Sequence, residues 1–242
     1  MLKNTLNSIS PLDGRYATKL GDLEQYFSEF ALIKNRVLVE INWLIFMSRT
    51  KSLRFIPALS KNKETSLLKI INEFSVKDAE QIKKIEAKTN HDVKAVEIFI
   101  GKKLESLNLK KYSEFVHLFC TSEDINNLSY NLMLKGYLDN EFKEINSLLL
   151  KDLKSKSKKW SKLSMLSFTH GQTASPTTLG KEIANFHERI NYHLNLLKFL
   201  NPSGKFNGAV GNYNAHVITD DKVNWQSLSE KFVKSLGLNW SK

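Results

Sequence analysis

The chain has 242 residues, of which 41% are hydrophobic and 25% are charged, and its net charge is +11. This balance is typical of a folded globular protein and excludes a disordered tail. The longest apolar run, from Ile41 to Met47, is too short to span a bilayer, so we expect no membrane partner. A single cysteine, Cys120, excludes an internal disulfide and fits a reducing cytosol. The first eight residues lack a signal-peptide core, so we expect a cytoplasmic protein.

The positive charge comes almost wholly from lysine. Nucleic-acid binders usually cluster their basic residues and use arginine to grip phosphates. Here the densest basic run, Lys151 to Lys162, is rich in lysine and serine along a predicted helix, and a solvated face explains it better. We expect no nucleic-acid partner, although the excess charge attracts anionic metabolites from a distance.

Apolar residues at three- and four-residue spacings predict one helix after another, so we predict an all-α fold. The first long helix is predicted to begin at Asp22 and to end before a break around Pro57. Three segments fit capping boxes that open helices: Ser75–Asp78, Thr89–Asp92 and Thr121–Asp124. The helix after the third box is predicted to run to about Lys158, and a final short helix, capped by Ser227–Glu230, to stop at Gly237.

A polar, turn-forming segment, Thr169–Glu182, contains His170 and runs through Pro176 into a helix predicted to reach Leu200. It holds a titratable side chain beside the free N–H groups of a helix start. Acid–base chemistry on an anionic substrate needs both features. A solvated loop that happens to contain histidine is the simpler interpretation of this segment by itself.

Small polar residues stand at three predicted helix starts, Thr89–Asp92, Thr121–Asp124 and Ser175–Thr178. A helix start offers unpaired N–H donors and a partial positive charge, so each is a potential anion site. Ordinary capping explains any one of them. Three in one chain, with His91 and His170 in or beside them, indicate a site for an anionic ligand.

The remaining histidines and Cys120 do not predict further chemistry. None of the histidines shows metal-ligand spacing, and Cys120 is interpreted as a buried apolar residue rather than a nucleophile. There is no phosphate loop and no glycine-rich dinucleotide fingerprint, so we expect neither a metal nor a cofactor. The histidines interpreted as structural are His117, His187, His193 and His216.

Five segments together resemble adenylosuccinate lyases, a family of the fumarase/aspartase superfamily, and the resemblance extends over essentially the whole chain. The Thr121 and His170 segments are shared across the superfamily, whereas the Arg15 and His91 segments are more specific to the purine enzyme. The segments are Ser10-Pro-Leu-Asp-Gly-Arg-Tyr16, Thr89-Asn-His-Asp-Val-Lys-Ala-Val-Glu97, Thr121-Ser-Glu-Asp-Ile-Asn-Asn127, Thr169-His-Gly-Gln172 and Gly208-Ala-Val-Gly-Asn-Tyr-Asn-Ala-His216.

The resemblance implies β-elimination of fumarate from adenylosuccinate, giving AMP, and from the succinylated aminoimidazole carboxamide ribonucleotide. A base removes a C–H proton beside a carboxylate, and an acid protonates the departing nitrogen. The acid implied here is His170, whose ordinary pKa of about 6.5 suits neutral pH. Arg15 and Tyr16 are implied to contact the substrate phosphate or ribose, since the arginine fork matches phosphate geometry.

Further substrate contacts follow from the same resemblance. Asn90, His91 and Asp92 are implied to line the nucleotide site. Thr121 and Ser122 are implied to hold succinyl carboxylate oxygens through hydroxyls and helix-start N–H groups. The family is a homotetramer whose active sites combine segments from three subunits, so the resemblance also implies a homo-oligomer.

The chain is expected to comprise an N-terminal helical domain, residues 1–111, and an incomplete helix bundle of the fumarase/aspartase type, residues 112–242. The family's general base is a serine in a segment resembling Ser-Ser-x-Met-Pro-x-Lys-x-Asn, which these 242 residues do not contain. We therefore expect a truncated chain that is inactive by itself. The alternatives are another lyase of the superfamily, such as argininosuccinate lyase, a non-catalytic helical interaction protein, and a basic nucleic-acid binder.

Overall fold

The computed structural model describes residues 8–197 and 199–242, and helices dominate it, so the predicted all-α class is confirmed. Short 3-10 turns occupy 17–19, 21–23 and 110–115, and a π-helical segment occupies 138–142. The described α-helices are α1 (Glu24–Phe27), α2 (Glu29–Arg49), α3 (Lys61–Asn72), α4 (Val76–Thr89), α5 (Asp92–Ser106), α6 (Ser122–Tyr137), α7 (Lys143–Lys159), α8 (Leu179–Leu197), α9 (Asn214–Thr219) and α10 (Trp225–Ser235). The strands are β1 (Ser164–Thr169), β2 (Gln172–Thr178), β3 (Ser203–Gly204) and β4 (Asn239–Trp240).

The chain forms two compact units, one of residues up to Lys135 together with Pro202–Lys242, the other of Gly136–Asn201. The expected division of the chain into domains 1–111 and 112–242 stays a prediction. Among the described residues, no helix combines the length and the apolar character needed to cross a membrane.

Helix α2 is the centre of the first unit, and side chains are buried around most of its circumference. Trp43 packs against Phe206 and Phe232 with ring centroids 4.4 and 4.8 Å apart, and its indole N–H donates to the Leu118 carbonyl at 2.8 Å. A helix that is apolar all round belongs in the interior of a fold. Two charged residues, Arg36 and Glu40, are nevertheless buried on it.

Helix starts follow the predictions in part. Ser75 and Asp78 form the predicted capping box of α4. The box predicted at Thr89 is wrong, because Thr89 ends α4, Asn90 adopts the left-handed conformation, and the His91 side chain caps α5.

The ends of three other helices also depart from expectation. The long helix begins at Glu29 rather than at Asp22, because the Ser28 hydroxyl caps it by accepting from the Ala31 N–H at 3.1 Å. Asn224 rather than Ser227 caps α10. As predicted, α10 ends before Gly237, which has a φ of +79°. Helix α8 ends at Leu197, three residues before the predicted Leu200.

The second unit contains a β-hairpin that was not predicted from the sequence. β1 pairs with β2 in antiparallel register, Thr169 opposite Gln172, which leaves His170 and Gly171 as a two-residue turn. Both turn residues have positive φ, +50° and +76°, as type I′ hairpin turns require. The predicted polar loop is thus a strand pair with a tight turn.

Candidate functional site

The segment between α4 and α5 presents Asn90, His91 and Asp92. Asn90 is exposed at a φ of +50°, and the His91 imidazole accepts the Lys94 N–H at 3.1 Å. Asp92 is partly buried and pairs with the Arg36 guanidinium at 2.6 Å. Burial raises the pKa of Asp92, but the Val93 N–H and the Arg36 charge lower it more, so its pKa lies below the ordinary value. The carboxylate is therefore ionised and anchored near neutral pH.

The start of α6 presents Thr121 and Ser122, both partly buried. The Asp124 carboxylate accepts the Thr121 N–H at 3.0 Å, as in a capping box. The Asp124 N–H donates to the Thr121 carbonyl at 3.0 Å rather than to its hydroxyl, so the predicted box is half formed. This leaves a hydroxyl pair at a helix start, where the partial positive charge favours anions.

Arg36 brings these two predicted segments together. Its guanidinium donates to Asp92 at 2.6 Å and to Asn126 of α6 at 2.8 Å, while its side chain is only 8% exposed. One buried cation thus connects the 90–92 segment to the N-terminal half of α6. No role was predicted for Arg36 from the sequence. A charged residue inside the most apolar helix could have indicated such a role, because charged side chains are rarely buried unless they are paired.

Glu40 lies one helical turn beyond Arg36 and is also buried. Its carboxylate contacts His117 Nδ1 at 2.6 Å and accepts the His117 N–H at 3.1 Å. Burial lowers the pKa of His117, but the hydrogen bond and charge of Glu40 raise it more, so its pKa lies above the ordinary value. Cys120 completes a cluster whose ligand-type atoms lie within 4.8 Å of one another. Burial raises the pKa of the Cys120 thiol well above its ordinary value, so it is no ready nucleophile.

A cavity of about 230 Å³ adjoins Thr121 and is lined on its other side by the turn-rich segment 207–216. The Asn207 side-chain oxygen and both ring nitrogens of His216 are buried without a hydrogen-bond partner among the described residues. Burial lowers the pKa of His216 to about 4, so this imidazole is neutral. Buried polar atoms without partners are uncommon in native folds. They mark this cavity as a place where a polar ligand or water completes the bonding.

Arg15 and Tyr16 lie ahead of α1, and both are exposed. The Arg15 guanidinium carbon is 5.5 Å from the centroid of the Tyr16 ring. Within the described residues Arg15 makes no ion pair. Its charge is therefore available to an anion.

His170 belongs to the second compact unit, at the exposed tip of the β1–β2 hairpin. The expectation that it lies beside the start of α8 is wrong, because the seven residues of β2 separate them. At about 3.3 Å per strand residue, that separation is roughly 20 Å. Thr178 caps α8 instead, its hydroxyl accepting the Lys181 N–H at 3.2 Å.

The first unit thus combines helix starts that favour anions with buried charged residues that are paired. Residues 15–242 match the family model described as Lyase, and the chain belongs to this family. Adenylosuccinate lyases are among the relatives of the chain, so the resemblance found in the sequence is confirmed. Identity is 43% over 98% of the chain to the Buchnera aphidicola (Schizaphis graminum) protein and 44% over 100% to the Haemophilus influenzae protein.

The relatives are longer proteins. The match covers 52% of the Buchnera protein and 53% of the Haemophilus protein, so the chain spans about half the length of the curated relatives it matches. Solved structures show the same fold. Fumarate lyase from Mesorhizobium sp. BNC1 superimposes with a TM-score of 0.72 at 16% identity, over 91% of this chain and 49% of that one. A β-carboxy-cis,cis-muconate cycloisomerase from Acinetobacter calcoaceticus gives 0.67 at 18% identity, over 94% and 51%.

Proposed function

We propose that this chain supplies the nucleotide-binding part and the general acid of an adenylosuccinate lyase. The observation that carries the proposal is the identity of 43–44% with three bacterial adenylosuccinate lyases over nearly the whole chain. The reaction would be β-elimination of fumarate from adenylosuccinate, giving AMP, and from the succinylated aminoimidazole carboxamide ribonucleotide. It would take place in the cytoplasm without a metal or cofactor.

The chemistry divides between a base and an acid. A base removes a C–H proton beside a carboxylate, the C–N bond breaks, and the departing nitrogen takes a proton. His170 is proposed as that acid, because an imidazole exchanges protons near neutral pH. Its place at a hairpin tip supports the role, since a tip is free to reach a ligand.

Binding is assigned to the first unit. Arg15, whose guanidinium makes no ion pair with any residue that the structure describes, and Tyr16 are proposed to contact the phosphate or ribose. Asn90, His91 and Asp92 are proposed to line the nucleotide site. The side chains of Thr121 and Ser122 are proposed to hold a succinyl carboxylate at the positive end of α6.

The base is expected from the family's Ser-Ser-x-Met-Pro-x-Lys-x-Asn segment. The 242 residues contain no segment of this kind, so this chain by itself is proposed to be inactive. Assembly into a homotetramer is proposed as part of the mechanism, because the family's active sites combine segments from three subunits.

The test is a spectrophotometric assay of fumarate release by the whole protein that the gene encodes. We expect release from adenylosuccinate and none from argininosuccinate. Release from argininosuccinate alone would contradict the proposed substrate and would indicate another lyase of the superfamily. No release from either, together with no AMP binding by titration calorimetry, would contradict a catalytic role and favour the helical interaction protein.

A further inference from the structure

Asp124 joins two distant parts of the first unit. Its side chain is fully buried, and its two oxygens accept from four donors. One oxygen accepts the Asn207 N–H at 3.1 Å and pairs with Lys205 Nζ at 2.9 Å. The other accepts the Thr121 N–H at 3.0 Å and the Gly208 N–H at 3.1 Å. The start of α6 is thereby fastened to a turn 83 and 84 residues later in the chain.

Capping of α6 does not account for this arrangement, as Asp78 shows. Asp78 is likewise the third residue of its helix, accepts the N–H of Ser75 at 3.0 Å and pairs with Lys103 at 2.7 Å. Its side chain is 14% exposed. Asp78 also accepts from the Ser75 hydroxyl at 2.6 Å. Asp124 makes the corresponding bond to the residue before its helix and the same kind of lysine pair, but it has two more backbone donors and is completely buried. A buried carboxylate is costly unless it is fully hydrogen-bonded, so the extra donors point to a second role.

Asn127, one turn further along α6, fastens the same segment. Its side-chain oxygen accepts the Lys205 N–H at 2.9 Å, and its amide donates to the Lys205 carbonyl at 3.1 Å. Gly204 packs so closely on Leu128 that any Cβ there would overlap the leucine side chain. The segment from Gly204 to Gly208 is thus held along one side of α6.

The two fastened parts are the walls of the 230 Å³ cavity, with Thr121 on one wall and Asn207 and Gly208 on the other. Asn207 is 7% exposed and His216 1% exposed, and both carry polar atoms that find no hydrogen-bond partner in the described part of the chain. The cavity therefore combines a helix start with these buried polar groups. Its volume suits one small polar group rather than a nucleotide.

We propose that Asp124 is a positioning residue that sets the separation between the Asn207–Gly208 turn and Thr121, the residue proposed above to hold a succinyl carboxylate. The assignment of the carboxylate rests on the proposed function. The positioning itself rests on the four bonds of Asp124.

Asp124→Asn is the direct test. It replaces one acceptor oxygen of the side chain with an NH₂ group, which leaves the donors at that oxygen without an acceptor. In the whole protein we expect faster hydrogen exchange at the amides of Asn207 and Gly208. We expect fumarate, used as the probe in titration calorimetry, to bind about tenfold or more weakly, since buried donors are left unpaired. In the lyase assay we expect KM to rise by a larger factor than kcat falls.

Asp78→Asn is the matched control, because it removes the charge from a carboxylate that has the corresponding position and lysine pair in α4. We expect it to lower the melting temperature while fumarate affinity stays unchanged. Should Asp124→Asn fail to fold, Asn127→Ala loosens the same segment more gently, and we expect the same changes with smaller magnitude. Equal melting losses in the two aspartate variants with unchanged fumarate affinity would overturn the proposal, as would unchanged exchange at Asn207 and Gly208. Absence of fumarate binding in the wild type would count against the proposed function, while the exchange measurement would still decide the positioning role.

Discussion

His170 is the residue on which the proposed chemistry depends. In the whole protein, His170→Ala is expected to lower turnover by about 10²–10⁴-fold with little change in substrate affinity, because an acid acts only as the nitrogen departs. Steady-state fumarate release measures this. His193→Ala, on helix α8 of the same unit, is the control and should behave as the wild type. Near wild-type turnover in the His170 variant would contradict the assignment of His170 as the general acid.

Arg15 is expected to contribute to affinity rather than to turnover. Arg15→Ala should weaken AMP binding by about tenfold or more, and Arg15→Lys by less, because lysine keeps the charge but loses the planar fork. Titration calorimetry gives both numbers. Arg54, another exposed arginine, provides the control Arg54→Ala. Equal affinity in all three variants would mean that Arg15 only anchors the N-terminal turn.

The Glu40–His117 pair should make stability depend on pH. The folded pKa of His117 is raised, so its contribution is complete below the unfolded pKa of about 6.5 and is lost as pH rises through the folded value. Lys94 and Glu97 of α5 also act on this imidazole. The wild type should therefore have a larger free energy of unfolding than Glu40→Gln, and this difference should be larger at about pH 6 than at about pH 9. Urea unfolding at both pH values tests this, and an equal difference at both would contradict it.

At the scale of elements, α7 and α8 meet at Gly180. A Cβ there would overlap the Ser157 carbonyl oxygen and lie 2.6 Å from Ser161 Cα, both of which are backbone atoms. Rotamer changes cannot relieve such a contact, so Gly180→Ala should destabilise the protein by about 1–3 kcal/mol.

Gly101 supplies the opposite case. It lies inside α5 with nothing within 4 Å of an added Cβ. Gly101→Ala should stabilise the protein by about 0.5–1 kcal/mol, because alanine loses less backbone conformational entropy than glycine when the helix forms. Denaturant unfolding followed by circular dichroism measures both variants. Equal effects of the same sign would show that the contact at Gly180 does not limit stability.

At the scale of the whole molecule, apolar side chains on α7 and α8 are left in contact with solvent. Leu148, Phe186 and Leu196 are 59%, 59% and 48% exposed. Contiguous apolar surface beyond a few hundred Å² usually drives association. The 242-residue chain produced alone is therefore expected to associate or to be poorly soluble. It is also expected to release no fumarate, because it lacks the segment from which the base is expected.

Light scattering and a fumarate assay at high protein concentration test this expectation. Phe186→Glu should raise the fraction of monomer, whereas Lys181→Glu, a charge change on the same helix, should not. A monodisperse monomer with measurable turnover would show that the expectation is wrong and that a residue within the chain acts as the base.

The sequence by itself determined the helical class, the Ser75 cap, the end of α10 before Gly237 and the family. Helical periodicity and capping involve residues three or four positions apart, so they can be read locally. The family follows from short contiguous segments. The site residues named on the same resemblance, His170 among them, stay predictions.

Only the tertiary structure decided which buried contacts position the residues of the candidate site. Arg36 reaches Asp92 and Asn126, 56 and 90 residues away, and Asp124 reaches Gly208 over 84 residues. Pairings over such separations leave no periodic pattern in the sequence. The hairpin at His170 escaped prediction for a related reason: strand pairing depends on a partner strand, whereas a helix satisfies its backbone hydrogen bonds within its own segment.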